Sequence, residues 1–148
     1  MKLDAQWIVG FVDGEGCFHV AINPHADMTV GYQVLPEFTV VQHVRDIEVL
    51  HALKAFFGCG VVRRNHGDRM AYRVRAKGHL LERIIPFFEV HPLKTKKRVD
   101  FEKFRRVLRL MDADEHLRPA GIAKIRVIAG EMNRAAKIKS SLFGNGEE

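Results

Sequence analysis

The sequence has 148 residues, of which 47% are hydrophobic and 28% are charged, and its formal net charge is +6, a composition typical of one ordinary globular domain. No apolar run approaches the roughly 20 residues that span a bilayer, and the N-terminus lacks the charged-then-apolar pattern of a secretory signal, so no membrane partner is expected. Cys17 and Cys59 are isolated in the sequence, which predicts reduced thiols in an intracellular protein and argues against a zinc site of the finger type.

Hydrophobic periodicity and turn residues divide the chain into helices and strands. In chain order, the predicted elements are a helix at about 4–14, strands at 17–23 and 31–42, a helix at 46–57, strands at 60–66 and 69–77, and helices at about 78–88, 95–111 and 119–138. Asp46 and Gly58 are expected to cap the second helix, and His66-Gly67-Asp68 is a hairpin signal. The order predicts one α+β domain over residues 1–148 with a four-stranded antiparallel sheet, and a frayed tail at about 139–148.

One face of the predicted sheet is apolar and the other is rich in polar and basic side chains. The residues expected to project from the second face or its rim are His19, Ala21, Asn23, His25, Gln33, Leu35, Glu37, Thr39, Arg63, Asn65, Ala71, Arg73 and Arg75. Arginine can bond guanine bidentately, asparagine and glutamine can bond adenine, and strands fit the major groove. This face is therefore a predicted DNA-binding surface. The plainer alternative is a one-sided sheet whose outward positions are simply solvated.

Positive charge is concentrated in the middle of the chain. Residues 61–109 contain 15 Lys and Arg against 5 Asp and Glu, residues 1–60 contain 3 against 7, and residues 110–148 contain 6 against 6. A basic concentration of this kind favours a polyanionic partner. Taken with the arginines of the sheet face, it favours nucleic acid over a generally solvated basic surface.

The segment WIVGFVDGEGCFHV at 7–20 combines helix glycines with closely spaced acids. Gly10 and Gly14 are four residues apart, so they share one helix face and allow a second helix to approach closely. If that helix belongs to a second copy, a two-fold axis brings the two Glu15 carboxylates together, and a divalent cation such as magnesium relieves their repulsion. Asp13 is then expected to accept hydrogen bonds from the backbone of the facing helix. The alternative is that the glycines are ordinary helix defects and Glu15 a solvated cap.

The nine residues IVGFVDGEG, Ile8–Gly16, closely resemble the LAGLIDADG motif of homing endonucleases, and the order helix, hairpin, helix, hairpin, helices matches that family over nearly the whole chain. The motif begins Ile-Val rather than Leu-Ala, and its acid is Glu15 rather than the commoner Asp. FTVVQH at 38–43 resembles the end of the family's second strand and maps the family's glutamine to Gln42. PLKTKKRVDFEKF at 92–104 resembles the family's PLxxKK stretch and maps its supporting lysine to Lys94, with Lys96 and Lys97 as close neighbours.

The resemblance implies an αββαββα fold and a homodimeric enzyme that cuts both strands of a long, near-palindromic DNA site and leaves short 3′ overhangs. Glu15, Gln42 and Lys94 are the expected catalytic residues, and Glu15 with the Gly14 carbonyl is the expected metal site. The expected cofactor is magnesium, as two or three ions shared across the dimer axis, with manganese able to substitute. The dimer interface is expected to consist of Trp7, Gly10, Phe11, Asp13 and Gly14.

Such proteins are typically encoded within mobile introns, so the expected location is an organelle (chloroplast or mitochondrion) or a bacterial cytoplasm. Two alternatives share the fold. One is a maturase that binds intron RNA, and the other is a DNA-binding regulator that does not cleave. Loss of the acid at position 15 would favour either alternative, and its presence favours the nuclease.

Overall fold

The structure is a computed structural model that describes residues 1–133, and the predicted frayed tail at 139–148 lies outside the described residues. The elements follow the predicted order: α1 (Ala5–Glu15), β1 (Gly16–Pro24), β2 (Tyr32–His43), α2 (Ile47–Phe57), β3 (Val61–His66), β4 (Arg69–Val74), α3 (Lys77–His79, Leu80–Ile84 and Ile85–Val90 in succession), α4 (Lys97–Asp112) and α5 (Pro119–Glu131). The four strands form one antiparallel sheet, so the predicted fold class is confirmed. In this part of the chain, no helix is long and apolar enough to cross a membrane.

The strands lie in the order β1-β2-β4-β3, and helices cover one face of the sheet. Phe18 of β1 lies opposite Phe38 of β2, and both side chains are fully buried. The ring centroid of Phe38 is 5.8 Å from that of Phe88 in α3, and the ring centroid of Phe18 is 5.2 Å from that of Phe104 in α4. We call this the helix-covered face and the opposite one the open face. The core therefore leaves the open face of the sheet available to a partner.

The start of α2 differs in part from the prediction, whereas its end agrees with it. Asp46 occupies the N-cap position of α2, as predicted, but its side chain makes no capping hydrogen bond. The chain instead enters α2 through a 3₁₀ turn at Val44–Asp46, where His43 Nδ1 accepts a hydrogen bond from the Arg45 backbone N–H at 3.1 Å. Gly58 ends α2 with φ of 71°, a left-handed conformation that glycine adopts at little cost, so the predicted C-cap is confirmed.

The segment after the second hairpin departs from the predicted strand at 69–77 and helix at 78–88. Strand β4 ends at Val74, so Arg75 lies in the connection and Lys77 already belongs to α3. The middle of α3, Leu80–Ile84, is a π-helical turn. Pro86 explains this turn because it has no N–H for the carbonyl four residues earlier and its ring crowds that turn. A wider turn relieves this conflict without ending the helix.

The C-terminal helices close the exposed edge of the sheet at β1. The Lys97 side-chain amine donates to the Gly16 carbonyl, and Asn133 Nδ2 donates to the Phe18 carbonyl at 3.2 Å. The Asn133 backbone N–H donates to Asp100 Oδ1 at 2.9 Å, and its φ is 56°. This turn follows the end of α5 at Glu131, earlier than the predicted end at 138, and positions 134–138 lie outside the described residues. Edge carbonyls that would otherwise be free to pair with another strand are thereby occupied.

Candidate active site and nucleic-acid interface

Helix α1 has one buried face and one open stripe. Its buried residues are Ile8, Val9 and Val12. On the other side, Trp7 is 45% exposed and its ring stacks on that of Phe11 with centroids 4.8 Å apart. A Cβ atom built on Gly10 or Gly14 would meet nothing within 4 Å. Packing within this chain therefore does not require these glycines, and the stripe they share with Trp7 and Phe11 is open to a second helix.

The two ends of α1 are defined by side-chain chemistry. At the start, Asp4 Oδ1 accepts hydrogen bonds from the backbone N–H groups of Gln6 at 2.8 Å and Trp7 at 3.2 Å, an N-cap that satisfies two of the helix's free amides. At the end, a Cβ on Gly16 would lie 2.6 Å from Cγ1 of Val12. Only glycine fits this close approach, which lets the chain pass directly from α1 into β1.

Glu15 and Gly14 lie exposed at the carboxyl end of α1. Within residues 1–133, the Glu15 side chain has no hydrogen-bond or ion-pair partner. The last carbonyls of a helix lack intrahelical partners, and this end of the helix carries partial negative charge. A carboxylate and a backbone carbonyl at such an end are the oxygen ligands that a hard divalent cation prefers. Across the same described residues, no three His, Cys, Asp or Glu side chains gather into a metal-binding cluster.

Asp13 binds the turn before α4 rather than only facing a partner helix. Its carboxylate accepts hydrogen bonds from the Lys94 backbone N–H at 2.9 Å, the Thr95 backbone N–H at 3.2 Å and the Thr95 hydroxyl at 2.7 Å. Burial raises the pKa of Asp13, but these hydrogen bonds and the nearby Lys97 outweigh it and hold the pKa below the usual value of 3.8. These bonds differ from the expected ones because the donors come from the same chain. Asp13 thus ties the motif to the lysine-rich turn.

The lysine whose amine reaches the motif is Lys97. Its Nζ donates to the carbonyl of Gly16, the residue that follows Glu15. Lys94, the residue predicted from the resemblance, is exposed and is held through its backbone N–H, which donates to Asp13. Lys96 is exposed as well. The structure therefore distinguishes Lys97, whose side chain contacts the motif, from Lys94 and Lys96, whose side chains are exposed. Their spacing in the sequence did not make this distinction.

Gln42 lies near the carboxyl end of α1, on the helix-covered face of the sheet. It is two residues beyond Val40, which is the register partner of Gly16, and its side chain alternates to the same side as Val40. Two residues along a strand span roughly 7 Å. Because its side chain is only partly buried, Gln42 retains polar atoms for a partner at this end of the molecule.

The open face carries most of the side chains that the strand alternation predicted. Those that are exposed are His19, Asn23, Leu35, Arg63, Asn65 and Arg75, and those that are partly buried are Ala21, His25, Gln33, Glu37, Thr39 and Arg73. Ala71 differs, since it is 1% exposed. Its short methyl lies between its register partners Val41 and Arg63, whose longer side chains flank it.

Two of the predicted DNA-binding residues, Asn65 and His25, lie where the backbone departs from regular strand geometry. Asn65 lies where the register between β3 and β4 shifts, between Arg64 and His66. A bulge of this kind breaks the strict alternation of faces, and every residue from Arg63 to His66 is exposed. His25 follows β1, and its backbone N–H closes the turn by donating to the Gly31 carbonyl at 3.0 Å.

One row of residues that crosses all four strands was only partly predicted. Cys17, Thr39, Arg73 and Val61 lie opposite one another on the four strands, yet only the middle two residues were predicted to project from this face. Burial raises the pKa of the Cys17 thiol, so this sulfur stays protonated at neutral pH. The two-residue alternation that predicted His19 in β1 and Arg63 in β3 also places Cys17 and Val61 on this face.

The basic residues of α4 lie outside the open face and are mostly paired. Arg105 and Arg109 both reach Glu89 Oε2, at 3.3 and 2.9 Å, and Arg98 reaches Glu102 Oε1 at 3.3 Å. The basic middle of the sequence is therefore divided between two surfaces.

Residues 8–108 match the family described as LAGLIDADG endonuclease. This chain belongs to the LAGLIDADG family. The motif, which forms most of α1, the sheet and the first part of α4 all lie within the matched residues, so the resemblance seen in nine residues extends to nearly the whole αββαββα unit.

Comparison with solved LAGLIDADG structures supports the same fold. The homing endonuclease I-TnaI is 59% identical, with 90% of each chain covered and a TM-score of 0.87. I-SmaMI, described as a LAGLIDADG homing endonuclease bound to cleaved DNA, is 34% identical with a TM-score of 0.88, and the match covers 89% of this chain but 44% of I-SmaMI. Among curated relatives, the DNA endonuclease I-CeuI of Chlamydomonas moewusii is 29% identical over 74% of this chain, which spans 53% of I-CeuI.

The chain spans a smaller part of other relatives. It covers 26% of an uncharacterized 50.9 kDa protein in ND4 intron 1 of Podospora anserina and 30% of a probable intron-encoded endonuclease of Neurospora crassa. The shared region is thus a LAGLIDADG unit found both in chains of similar size and in longer ones.

Proposed function

We propose that this protein is a site-specific DNA endonuclease that acts as a homodimer and cuts both strands of a long, near-palindromic site, leaving short 3′ overhangs. The observation that carries the proposal is the carboxyl end of α1, where an unpaired Glu15 lies beside an open glycine stripe and an amine from α4. Relatives named as intron-encoded endonucleases suggest the same origin and an intracellular site of action.

A two-fold dimer through α1 is supported by the open stripe of that helix. Gly10 and Gly14 offer no side chain to hold a second helix away, and Trp7 and Phe11 offer apolar rings to cover. The match to less than half of I-SmaMI leaves room in that chain for a second unit of this size. In the proposed dimer, the open faces of two sheets lie side by side, and each reads one half-site in the major groove.

The proposed chemistry uses the residues around the end of α1. Glu15 and the Gly14 carbonyl would hold magnesium, in a set of two or three ions shared across the dimer axis, with manganese able to substitute. When bound, such an ion lowers the pKa of a water molecule and stabilises negative charge on the scissile phosphate. Gln42 would orient water by hydrogen bonding. Lys97 takes the role that the resemblance gave to Lys94, because its ammonium lies beside the motif and can offset developing negative charge.

The test of this proposal separates binding from cleavage. A duplex selected from a randomised library supplies the target, and Glu15→Gln preserves the shape of the side chain while removing its charge. The variant should bind this duplex as tightly as the unmodified protein, whereas its cleavage in magnesium should fall by at least about a hundredfold. Glu48→Gln, an exposed acid in α2, is the matched control and should cleave normally.

Each of the other outcomes would contradict a different part of the proposal. Undiminished cleavage by Glu15→Gln removes Glu15 from the metal site. Binding of the selected duplex without cleavage by the unmodified protein, in magnesium or manganese, would identify a non-cleaving regulator. Preferential binding of structured intron RNA over any duplex would identify a maturase. A stable monomer in light scattering, with or without DNA, would exclude the proposed dimer.

A further inference from the structure

The open face carries an acid among its arginines, and this acid makes the shortest ion pair of the sheet. Glu37 Oε1 lies 2.6 Å from Nε of Arg75 and 3.6 Å from Nε of Arg73. A carboxylate on a surface that meets phosphates costs affinity through repulsion. Such a residue therefore needs a role other than general attraction to DNA.

The two arginines differ in how far they reach. The Arg75 side chain is 62% exposed, whereas that of Arg73 is 15% exposed and that of Glu37 is 19% exposed. The Nε of Arg73 is buried, and no hydrogen bond is found for it in the described part of the chain. Among Glu37, Arg73 and Arg75, Arg73 is thus placed as a fixed positive charge beside the Glu37 carboxylate. Arg75 is the residue that projects from the surface.

The bond through Nε determines how Arg75 presents its other donors. A guanidinium is planar and carries five N–H donors in a fixed fork. With Nε bonded to Glu37 at 2.6 Å, the two terminal nitrogens have no hydrogen-bond partner within residues 1–133. Two parallel donors of this kind match O6 and N7 of guanine, the pair of acceptors that guanine presents in the major groove.

The surroundings of Arg75 leave space for a base edge. A hollow of about 320 Å³ on one side is lined by Glu37, His19 and Asn23 among others, and a hollow of about 300 Å³ on the other side is lined by Arg63 and His79 among others. Arg75 lines both hollows, so its side chain forms the ridge between them. A ridge with free donors is the part of the face that enters a groove first.

We propose that Arg75 reads a guanine in each half-site and that Glu37, held by Arg73, is its positioning residue. Glu37 fixes the guanidinium in one orientation before DNA binds, so less side-chain entropy is lost when the bidentate contact forms. The carboxylate also disfavours DNA that offers no guanine, because the repulsion is then not offset. Glu37 therefore lowers the general affinity for DNA and increases the discrimination between bases at one base pair. This inference rests on the proposed function, since it assumes that the open face binds duplex DNA.

The experiment measures base preference and salt dependence together. The unmodified protein and each variant select duplexes from a randomised library in calcium, the ion present with the uncleaved I-SmaMI complex, and binding to the selected and scrambled duplexes is titrated against salt. We expect one G·C pair in each half-site to be preferred by about tenfold over other pairs. Arg75→Ala should abolish this preference. If Arg75 contacted only a phosphate, the same variant would instead keep the preference and make the salt slope shallower by about one.

Two variants of Glu37 separate positioning from charge. Glu37→Gln should reduce the guanine preference several-fold, strengthen binding to scrambled duplex and make the salt slope steeper by about one. Glu37→Asp keeps the charge but shortens the side chain, so it should reduce the guanine preference with no change in the salt slope. Glu102→Gln is the matched control, because Glu102 forms the Arg98 ion pair on α4, and this variant should leave both quantities unchanged.

The outcomes distinguish this inference from the proposed function. A selected site that is bound and cleaved, with full guanine preference retained by both Glu37 variants, overturns the positioning role alone. The inference is also overturned if the base-pair position at which Arg75→Ala loses its preference is one where the unmodified protein prefers adenine or thymine. Failure of the unmodified protein to select any duplex overturns the proposed function as well as this inference.

Discussion

The arginines of the sheet and those of α4 are equally prominent in the sequence, but their surroundings differ. The side chains of Arg63, Arg64 and Arg69 are exposed on the second hairpin and have no ion-pair or hydrogen-bond partner within residues 1–133. Arg73 and Arg75, by contrast, share the acid Glu37. On α4, Arg105 and Arg109 share Glu89 of α3. An unpaired cation offers its full charge to a polyanion, whereas the general attraction of a paired cation is largely cancelled by its acid. A paired arginine such as Arg75 can still donate hydrogen bonds through its terminal nitrogens. Concentrated charge in a sequence therefore does not by itself define one binding surface.

The difference follows from what each element packs against. The core side of α4 is apolar, with Phe101, Phe104 and Leu108 buried at 3% exposure or less, so its arginines lie along the flanks and meet acids of neighbouring turns. The edge strand β3 has no such neighbour on its outer side. Surface ion pairs on a helix typically contribute roughly 0–1 kcal/mol each, so the α4 pairs add little stability, and their main effect is to reduce the positive charge that α4 presents.

The largest effect is expected at Lys97, a residue of α4 whose side-chain amine donates to the Gly16 carbonyl of the motif. Lys97→Met keeps the apolar stem but removes the ammonium that contacts Gly16. We expect cleavage to fall by about 10²–10³-fold, with duplex binding changed by less than about threefold. The measurement is single-turnover cleavage beside a gel shift on the same selected duplex.

Lys96→Met and Lys94→Met are the matched controls for this change, since both residues are exposed. Both should retain cleavage within a few-fold of the unmodified protein. Loss of cleavage in Lys94→Met, with Lys97→Met active, would instead support the assignment made from the sequence resemblance.

Removing one arginine from the sheet or from α4 is expected to have a smaller effect than Lys97→Met. Arg63→Ala removes an unpaired cation from the open face and should weaken duplex binding by about three- to tenfold, with a salt slope shallower by about one. Arg109→Ala removes a paired cation from α4 and should leave binding unchanged, while lowering the free energy of unfolding by at most about 1 kcal/mol. Equal losses of DNA affinity in the two variants would show that the division between the surfaces is wrong.

The smallest expected effect concerns Asp13, which ties the start of α4 to the motif. Its pKa is lowered in the folded protein, chiefly by hydrogen bonds from Lys94 and Thr95 that outweigh burial. A lowered pKa stabilises the fold above the pKa of the unfolded chain, and this contribution is lost as the pH falls through the folded value. Asp13→Asn should therefore reduce the melting temperature at pH 7, and the difference from the unmodified protein should shrink below about pH 4. A difference that is constant between pH 3 and pH 7 would contradict the role of the ionised carboxylate.

Much of the fold could be predicted because local signals and tertiary packing agree. The alternation in β4 and the left-handed turn at Gly58 are properties of a few adjacent residues, and both appear in the structure. The errors occurred where a distant or irregular feature decided the outcome. Pro86 widened α3 into a π-turn, and a 3₁₀ turn with a His43 cap replaced the expected capping bond of Asp46.

The family, the order of the elements and the side chains that share a sheet face can be predicted from the sequence alone, since the motif and the two-residue period are encoded in neighbouring positions. Three contacts could not be predicted in this way: the donation from Lys97 to Gly16, the bonds of Asp13 within its own chain, and the bond between Glu37 and Arg75. These contacts join residues 38 to 82 positions apart. Their partners are set by how α4 and β4 pack beside the motif and β2, and no local spacing in the sequence records that packing.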